Sequence, residues 1–183
     1  MPVIPYVKQG APFADTAGAS GTVNAAKLNA IDNGIFEAMQ QPAVRVTHST
    51  TQSITSAVIT ALAFNTERFD QAGGSASTMH DTVTNNSRLT AVYAGVYQIS
   101  GAVEFAANAV GERLIQVRHQ GATVIARQEF LNTGSAQALA ISTLYPLAVN
   151  EYVELMVYQN SGSAVVINAS GNYSPEFMMV RVA

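Results

Sequence analysis

The segment Gly95–Phe105, "GVYQISGAVEF", alternates as a β-strand does and decides the fold class that we predict for the chain. The apolar side chains from Tyr97 to Phe105 share one face with Gly101, and the polar side chains from Gln98 to Glu104 share the other. A glycine inside a strand usually marks the close approach of another backbone or a bulge. The segment therefore predicts a central strand of a sheet.

The pattern on both sides of this segment also has period two, from Ala43 to the end of the chain. Gly-, Asn- and Ser-rich turns such as "HQGAT" and "QNSGSA" separate the segments, and no second helical pattern is present in this part. Many short strands at intervals of roughly ten residues predict an antiparallel jelly-roll sandwich. The predicted strands are Ala43–His48, Val58–Phe64, Gly95–Phe105, Leu114–Gln120, Thr123–Phe130, Ala138–Leu147, Tyr152–Gln159, Ala164–Asn168 and Phe177–Val182.

Residues 1–22 are rich in Pro, Gly and Ala and have no sustained period, which predicts an extended arm. The arm carries too many apolar side chains for a free linker, so we expect it to dock on a partner. Its predicted attachment residues are Val3, Ile4, Tyr6, Val7 and Phe13.

One short helix is predicted after the arm, over about residues 24–40, with Asn24 as its N-cap. Its apolar positions Leu28, Ile31, Ile35 and Ala38 have the spacing of a two-heptad seam. An isolated helix of this length is marginal in water, so the seam needs a partner. That partner is either the helix's own domain or, as we predict, further copies in a self-associating neck.

Pro42 ends the helical pattern, because proline and the residue before it disfavour continuation of a helix. The predicted organisation is an arm and neck over residues 1–41 and a jelly-roll head over residues 42–183. A chain of 183 residues is long enough for one such domain with an appendage.

The composition excludes several functional classes. Charged residues make up only 11% of the chain and the net charge is −3, so we expect no nucleic-acid partner. The N-terminal "MPVIPYVKQGAPFADTAG" has no long apolar run, so we expect neither a secretory signal nor membrane insertion. The absence of cysteine rules out disulfides and thiolate chemistry.

Catalytic and metal-binding patterns are not evident. The three histidines, His48, His80 and His119, lie in different predicted segments, and no serine stands in a Gly-x-Ser-x-Gly motif. We predict a protein that is not an enzyme and has no metal or cofactor. The glycine-rich "FDQAGGSASTMHD" (Phe69–Asp81) is either a calcium- or ligand-binding loop or a solvated loop with local Asx turns.

Four segments of the head resemble the complement C1q and tumour necrosis factor (TNF) family. They are "FNTERFD" (Phe64–Asp70), "SRLTAVYAGVYQISGAVEF" (Ser87–Phe105), "LAVNEYVELMVYQ" (Leu147–Gln159) and "YSPEFMMVRV" (Tyr173–Val182). The chain departs from the family at Asn150 and Glu151, where a Gly-Asp turn is usual. The resemblance implies a jelly roll that associates as a threefold homotrimer. Apolar residues on both strand faces, such as Leu144 beside Tyr145, are consistent with a buried outer face.

The arm and helix, "SGTVNAAKLNAIDNGIFEAM", are similar to lead-in segments of bacteriophage head-fibre and minor tail proteins. The two resemblances together imply a virion fibre, spike or decoration protein at the particle surface, with phage capsid or tail proteins as partners. Host-surface glycan is the candidate ligand, and Tyr93 and Tyr173, in predicted loops, are the candidate rings. Two further hypotheses are a soluble carbohydrate- or protein-binding module and a polysaccharide-acting enzyme.

Overall fold

A computed structural model describes residues 25–39, 41–73 and 77–183, with the side chains of residues 36–39 not described. The chain divides into two compact units, Met1–Gln41 and Pro42–Ala183. The first contains helix α1, Ala25–Met39, which begins at two alanines and ends three residues before Pro42. The predicted helix is thus present between residues 25 and 39.

The second unit, the head, consists of twelve antiparallel strands. Most strands begin or end at Gly, Asn or Ser residues that form the connecting turns. In chain order they are β1 (Ala43–Thr47), β2 (Gln52–Ile54), β3 (Thr60–Ala61), β4 (Thr66–Gln71), β5 (Arg88–Thr90), β6 (Gly95–Phe105), β7 (Glu112–His119), β8 (Thr123–Leu131), β9 (Gln137–Leu147), β10 (Tyr152–Gln159), β11 (Val165–Ile167) and β12 (Glu176–Arg181).

The strands form two packed sheets. The seven-stranded sheet has the order β2-β11-β6-β12-β1-β4, with β9 paired along the other edge of β6. The five-stranded sheet has the order β3-β10-β7-β8, with β5 paired to β10. Strand β6 is central, because β9 pairs with its whole length and β12 pairs with Tyr97–Ala102. The predicted central strand is therefore observed.

The core lies between the two sheets and is formed by the inward side chains of both. Phe64 and Phe177 stack there with ring centroids 5.8 Å apart. The inward residues of β6, from Tyr97 to Phe105, are fully or almost fully buried. Alternation of buried and less buried residues along β6 and β9 reproduces the period that the sequence shows.

Gly101 lies directly opposite the Leu155 side chain of the other sheet. A Cβ atom at this position would be 2.6 Å from Cδ1 of Leu155 on β10. The sequence predicted a close backbone or a bulge, but the close neighbour is a side chain of the other sheet. Glycine here gives Leu155 the space that it fills in the core.

The strand predictions need four corrections. Strands β2, β4 and β5 were missed, and the predicted Val58–Phe64 strand is reduced to Thr60–Ala61. Strand β4, "TERFDQ", has five of six residues exposed and so shows no apolar alternation. Strands β2 and β5 have three residues each, which is too short for a period to be visible.

Candidate functional site

The centre of the outer face of the seven-stranded sheet is built from uncharged and mostly small side chains. On β9 these side chains alternate with inward Leu139 and Ile141, so the sequence "QALAISTLYPL" places small residues outside and large ones inside. We call this surface the small-residue face. Its members on β6, β9 and β12 are Gln98, Ser100, Ala102, Ala138, Ala140, Ser142, Leu144, Pro146, Met178 and Val180.

A shallow apolar depression of about 340 Å³ lies in the middle of the small-residue face. Ala102 is directly opposite Ala140, and Ser100 is directly opposite Ser142. The two serine hydroxyls are 2.9 Å apart and form a hydrogen bond with each other, so each hydroxyl has a partner within the sheet. Met178 on β12 forms a further wall, and Leu144 beyond the serine pair is 62% exposed. The centre of this sheet is flat, apolar and open.

Glu176 borders the small-residue face and is the centre of a buried ion cluster. Its side chain is 1% exposed and accepts hydrogen bonds from Nε of Arg45 at 2.8 Å and Nε of Arg68 at 2.7 Å. The hydrogen bond with Glu176 raises the pKa of Arg68. Each arginine also donates to a backbone carbonyl of the 171–172 turn, so the cluster ties this turn to β1 and β4.

Glu104 is the other carboxylate at this border, and it orders the loop before β12. Its Oε1 accepts from Nδ2 of Asn168 at 2.7 Å, and its Oε2 accepts from the Tyr173 hydroxyl at 3.0 Å. These hydrogen bonds, first from Asn168 and then from Tyr173, lower the pKa of Glu104. Ser174, whose peptide bond to Pro175 is cis, accepts from the backbone N–H of Glu104.

Residues 77–87, before β5, are held by side chains and by backbone hydrogen bonds outside the regular strands. Oδ2 of Asp70 accepts from the backbone N–H groups of Met79 and His80, and burial raises the pKa of Asp70. The ring of His80 is buried, with Nδ1 3.0 Å from Oε1 of Glu67. Oδ1 of Asp81 accepts from two following backbone N–H groups, which lower its pKa.

These contacts bear on the loop hypothesis made from "FDQAGGSASTMHD". Asp81 forms the predicted Asx-type turn, but His80 is buried in the fold instead of facing solvent. Asp70 and Asp81 use their oxygens to bind backbone N–H groups. Among the described residues, no three His, Asp or Glu side chains are grouped as metal ligands would be.

A polar cavity of about 320 Å³ lies beside β5, at the edge of the five-stranded sheet. The segment after β4 forms one wall, and the turn before β10 forms another. The guanidinium carbon of Arg88 is 4.1 Å from the centre of the Tyr152 ring, so the two side chains stack. Nε of Arg88 is 3.6 Å from Oε1 of Glu154, which also accepts from the Ser87 hydroxyl.

The two tyrosines proposed to bind glycan lie in different loops and have different hydrogen-bond partners. The Tyr93 hydroxyl donates to the carbonyl of Gly73 at 3.2 Å, and Tyr173 is 49% exposed while bonded to Glu104. Both lie in loops as expected, and neither lines the polar cavity. Their role in ligand binding stays a prediction.

The predicted neck and attachment residues are described only in part. On α1, Leu28 is half-buried, whereas Ile31 and Ile35 are 55% and 45% exposed. The side chain of Ala38 and the attachment residues Val3, Ile4, Tyr6, Val7 and Phe13 lie outside the described residues. No helix in the described part of the chain is long and apolar enough to cross a membrane.

Sequence reasoning identified only Leu144 of the small-residue face, and it missed the polar cavity. The signal for the first was present, because Ala and Ser occupy alternate positions of "ALAIS". The second unites Arg88, Asn150 and Tyr152 from separate segments, and their spacing forms no motif.

The fold is similar to that of known proteins, although the sequence matches no protein-family model and no curated protein. Murine APRIL has a TM-score of 0.57 and 9% identity, over 78% of this chain and 99% of that one. Eiger TNF from S. frugiperda has a TM-score of 0.56 and 8% identity, over 79% and 94%. The globular domain of zebrafish complement 1qA protein has a TM-score of 0.50 and 13% identity, over 76% and 93%. The predicted jelly roll of the C1q/TNF type is confirmed. At these identities the likeness shows the fold alone.

Proposed function

We propose that this chain is the subunit of a homotrimeric, non-enzymatic fibre, spike or decoration protein of a bacteriophage particle. Residues 1–41 attach it to the capsid or tail, and the head over residues 42–183 faces outward and binds host-surface glycan. The observation that carries the proposal is the small-residue face, which is apolar and uncharged across the centre of a sheet.

A solvated sheet face is normally polar, so an apolar one needs a partner. Antiparallel sheets with one wet face alternate apolar-in and polar-out. Here the outer positions of β9 are Ala138, Ala140, Ser142, Leu144 and Pro146. Large apolar patches on monomers mark interaction sites. Because the side chains are small, the backbone of a partner can approach closely.

Identical copies of the chain are the partner that fits best. On helix α1, Ile31 and Ile35 have heptad spacing and exposed side chains within the described part of the chain, which favours packing against further copies. Closed cyclic symmetry repeats one set of contacts, so each of these surfaces can be buried against its own copies. The resemblance of the head to C1q and TNF supports three copies rather than two.

Attachment to a particle is supported by the segment from the arm into the helix. The sequence "AAKLNAI" (residues 25–31) is similar to lead-in segments of phage fibre proteins, and the preceding arm carries apolar anchors. We expect the arm to bind capsid or tail proteins and the head to fold without it.

Sedimentation with particles tests this assignment. The full chain and a chain that begins at Ala43 are each mixed with phage particles that lack the protein. We expect the full chain to sediment with the particles, and the shorter chain to stay in solution with the strand-rich circular dichroism of the intact head. Sedimentation of both chains, or of neither, would contradict the assignment of residues 1–41 to attachment.

A further inference from the structure

The polar cavity beside β5 has the chemistry of a saccharide site. We propose that it binds a sugar that carries a single carboxylate, such as a uronic acid, through Arg88, Tyr152, Asn85 and Asn150. This inference rests on the proposed outward-facing head and names the class of glycan that the head binds.

Several polar side chains at the cavity have no partner in the described parts of the chain. The amides of Asn85 and Asn150 and the hydroxyls of Thr84 and Thr90 all line the cavity without a side-chain hydrogen bond. Both asparagines have positive φ, 51° and 68°, which tight turns impose. An amide both donates and accepts, as does a hydroxyl, so these groups suit a ligand with several hydroxyls.

Among the described residues of the cavity wall, Arg88 supplies the guanidinium group. Stacking on Tyr152 and the ion pair with Glu154 hold its guanidinium in one orientation. Its Nε is buried beside Glu154, whereas its terminal nitrogens make no hydrogen bond with the described residues. A planar guanidinium with two free nitrogens matches the two oxygens of a carboxylate.

The charge around Arg88 favours a singly charged ligand over a phosphate. Asp81 lines the same cavity, and the backbone N–H groups of Thr84 and Val83 lower its pKa and keep it ionised at neutral pH. Glu154 already neutralises part of the charge on Arg88. A dianionic phosphate meets more repulsion here than a carboxylate does.

The cavity also has an apolar surface for a sugar ring. Tyr152 contributes a half-buried ring to the cavity wall. Sugar rings have apolar C–H faces that pack on such side chains, while their hydroxyls bond at the rim. The cavity volume of about 320 Å³ is that of a small-molecule site.

Saturation-transfer NMR on the full chain tests the site, with methyl glucuronide as the ligand and methyl glucoside as its uncharged match. We expect methyl glucuronide to bind at least about tenfold more tightly, since the added carboxylate gains a charged, bidentate hydrogen bond. Equal binding of the two sugars, or binding of neither, would overturn the proposal. Stronger competition by glucose 6-phosphate than by the glucuronide would also overturn it.

Two arginines on the outer side of the five-stranded sheet give a matched pair of variants. Arg88→Gln should weaken glucuronide binding at least about tenfold, whereas Arg127→Gln should leave it unchanged, because Arg127 is exposed and paired with Glu129 away from the cavity. An equal loss in both variants would mean nonspecific attraction to positive charge and would refute the site.

A second variant covers the case in which Arg88→Gln fails to fold. Asn150→Asp adds a carboxylate at an exposed turn position whose positive φ aspartate tolerates. It should reduce glucuronide binding more than glucoside binding, because the new carboxylate repels only the charged sugar. Unchanged glucuronide binding would count against the site. The mass of the protein in solution is measured separately. A wild-type trimer that does not bind the glucuronide contradicts only this inference, and a wild-type monomer that binds it contradicts only the trimer.

Discussion

The two sheets of the head share one core but have different outer faces. The seven-stranded sheet presents alanine, serine, leucine and methionine at its centre, and the Glu176 ion cluster lies at its border. The five-stranded sheet presents tyrosines and paired charges, such as Arg88 with Glu154 and Arg127 with Glu129, and has exposed apolar residues only along its β8 edge among the described strands. A sheet that faces water has no need to be apolar on both sides. One outer face is therefore suited to close packing against protein, and the other to solvent and polar ligands.

The ion clusters on the two sheets give the first way to test this difference. Glu176→Gln removes a buried carboxylate that binds two arginines, so we expect unfolding in urea to show a loss of about 1–3 kcal/mol. Glu129→Gln removes the exposed carboxylate paired with Arg127 on the other sheet and should leave the urea midpoint unchanged. Equal losses of stability in both variants would show that the buried and the exposed carboxylate contribute equally, and would contradict this difference between the two sheets.

The pH dependence of Glu104 gives a smaller effect. Its pKa is lower in the folded protein than in the unfolded chain, because Asn168 and Tyr173 donate hydrogen bonds to the carboxylate. The resulting stabilisation is present above the unfolded pKa and is lost as the pH falls through the folded pKa. Tyr173→Phe should therefore raise the pKa of Glu104, and its stability deficit against the wild type should shrink as the pH falls.

NMR titration of the Glu104 carboxyl measures this shift directly. Tyr158→Phe, on β10 of the other sheet, is the matched control and should leave the Glu104 pKa unchanged. The pKa of Asp70 shifts in the opposite direction, because burial raises it. The contribution of Asp70 to the stability of the fold therefore falls as the pH rises. A stability deficit of Tyr173→Phe that grows on acidification would contradict the hydrogen bond to Glu104.

The sequence predicted the long central strands well and the short edge strands poorly. Strands β6 and β10 have the predicted bounds because their alternation is long and turn residues flank them. Strand β4 was missed because it lies at the sheet edge with exposed polar residues such as Thr66 and Glu67, where burial imposes no pattern.

The functional surfaces were predictable only where they follow one strand. The apolar pair Leu144 and Tyr145 indicated a strand with two apolar faces, and the structure places Tyr145 against the core and Leu144 outside. The polar cavity depends on where the 77–90 segment lies beside the turn at Asn150. Tertiary packing sets that position, so local pattern gives no sign of it.

Light scattering measures the mass of the protein in solution and so tests whether the chain forms a trimer through the small-residue face. At micromolar concentration we expect about three times the chain mass of 19.3 kDa. Leu144→Arg places a charge on the small-residue face and should reduce the mass to that of one chain. Leu131→Arg makes the same change at an exposed leucine on β8 of the other sheet and should leave the trimer intact. A wild-type mass of one chain, or dissociation by Leu131→Arg and not by Leu144→Arg, would contradict the assignment of the small-residue face to self-association.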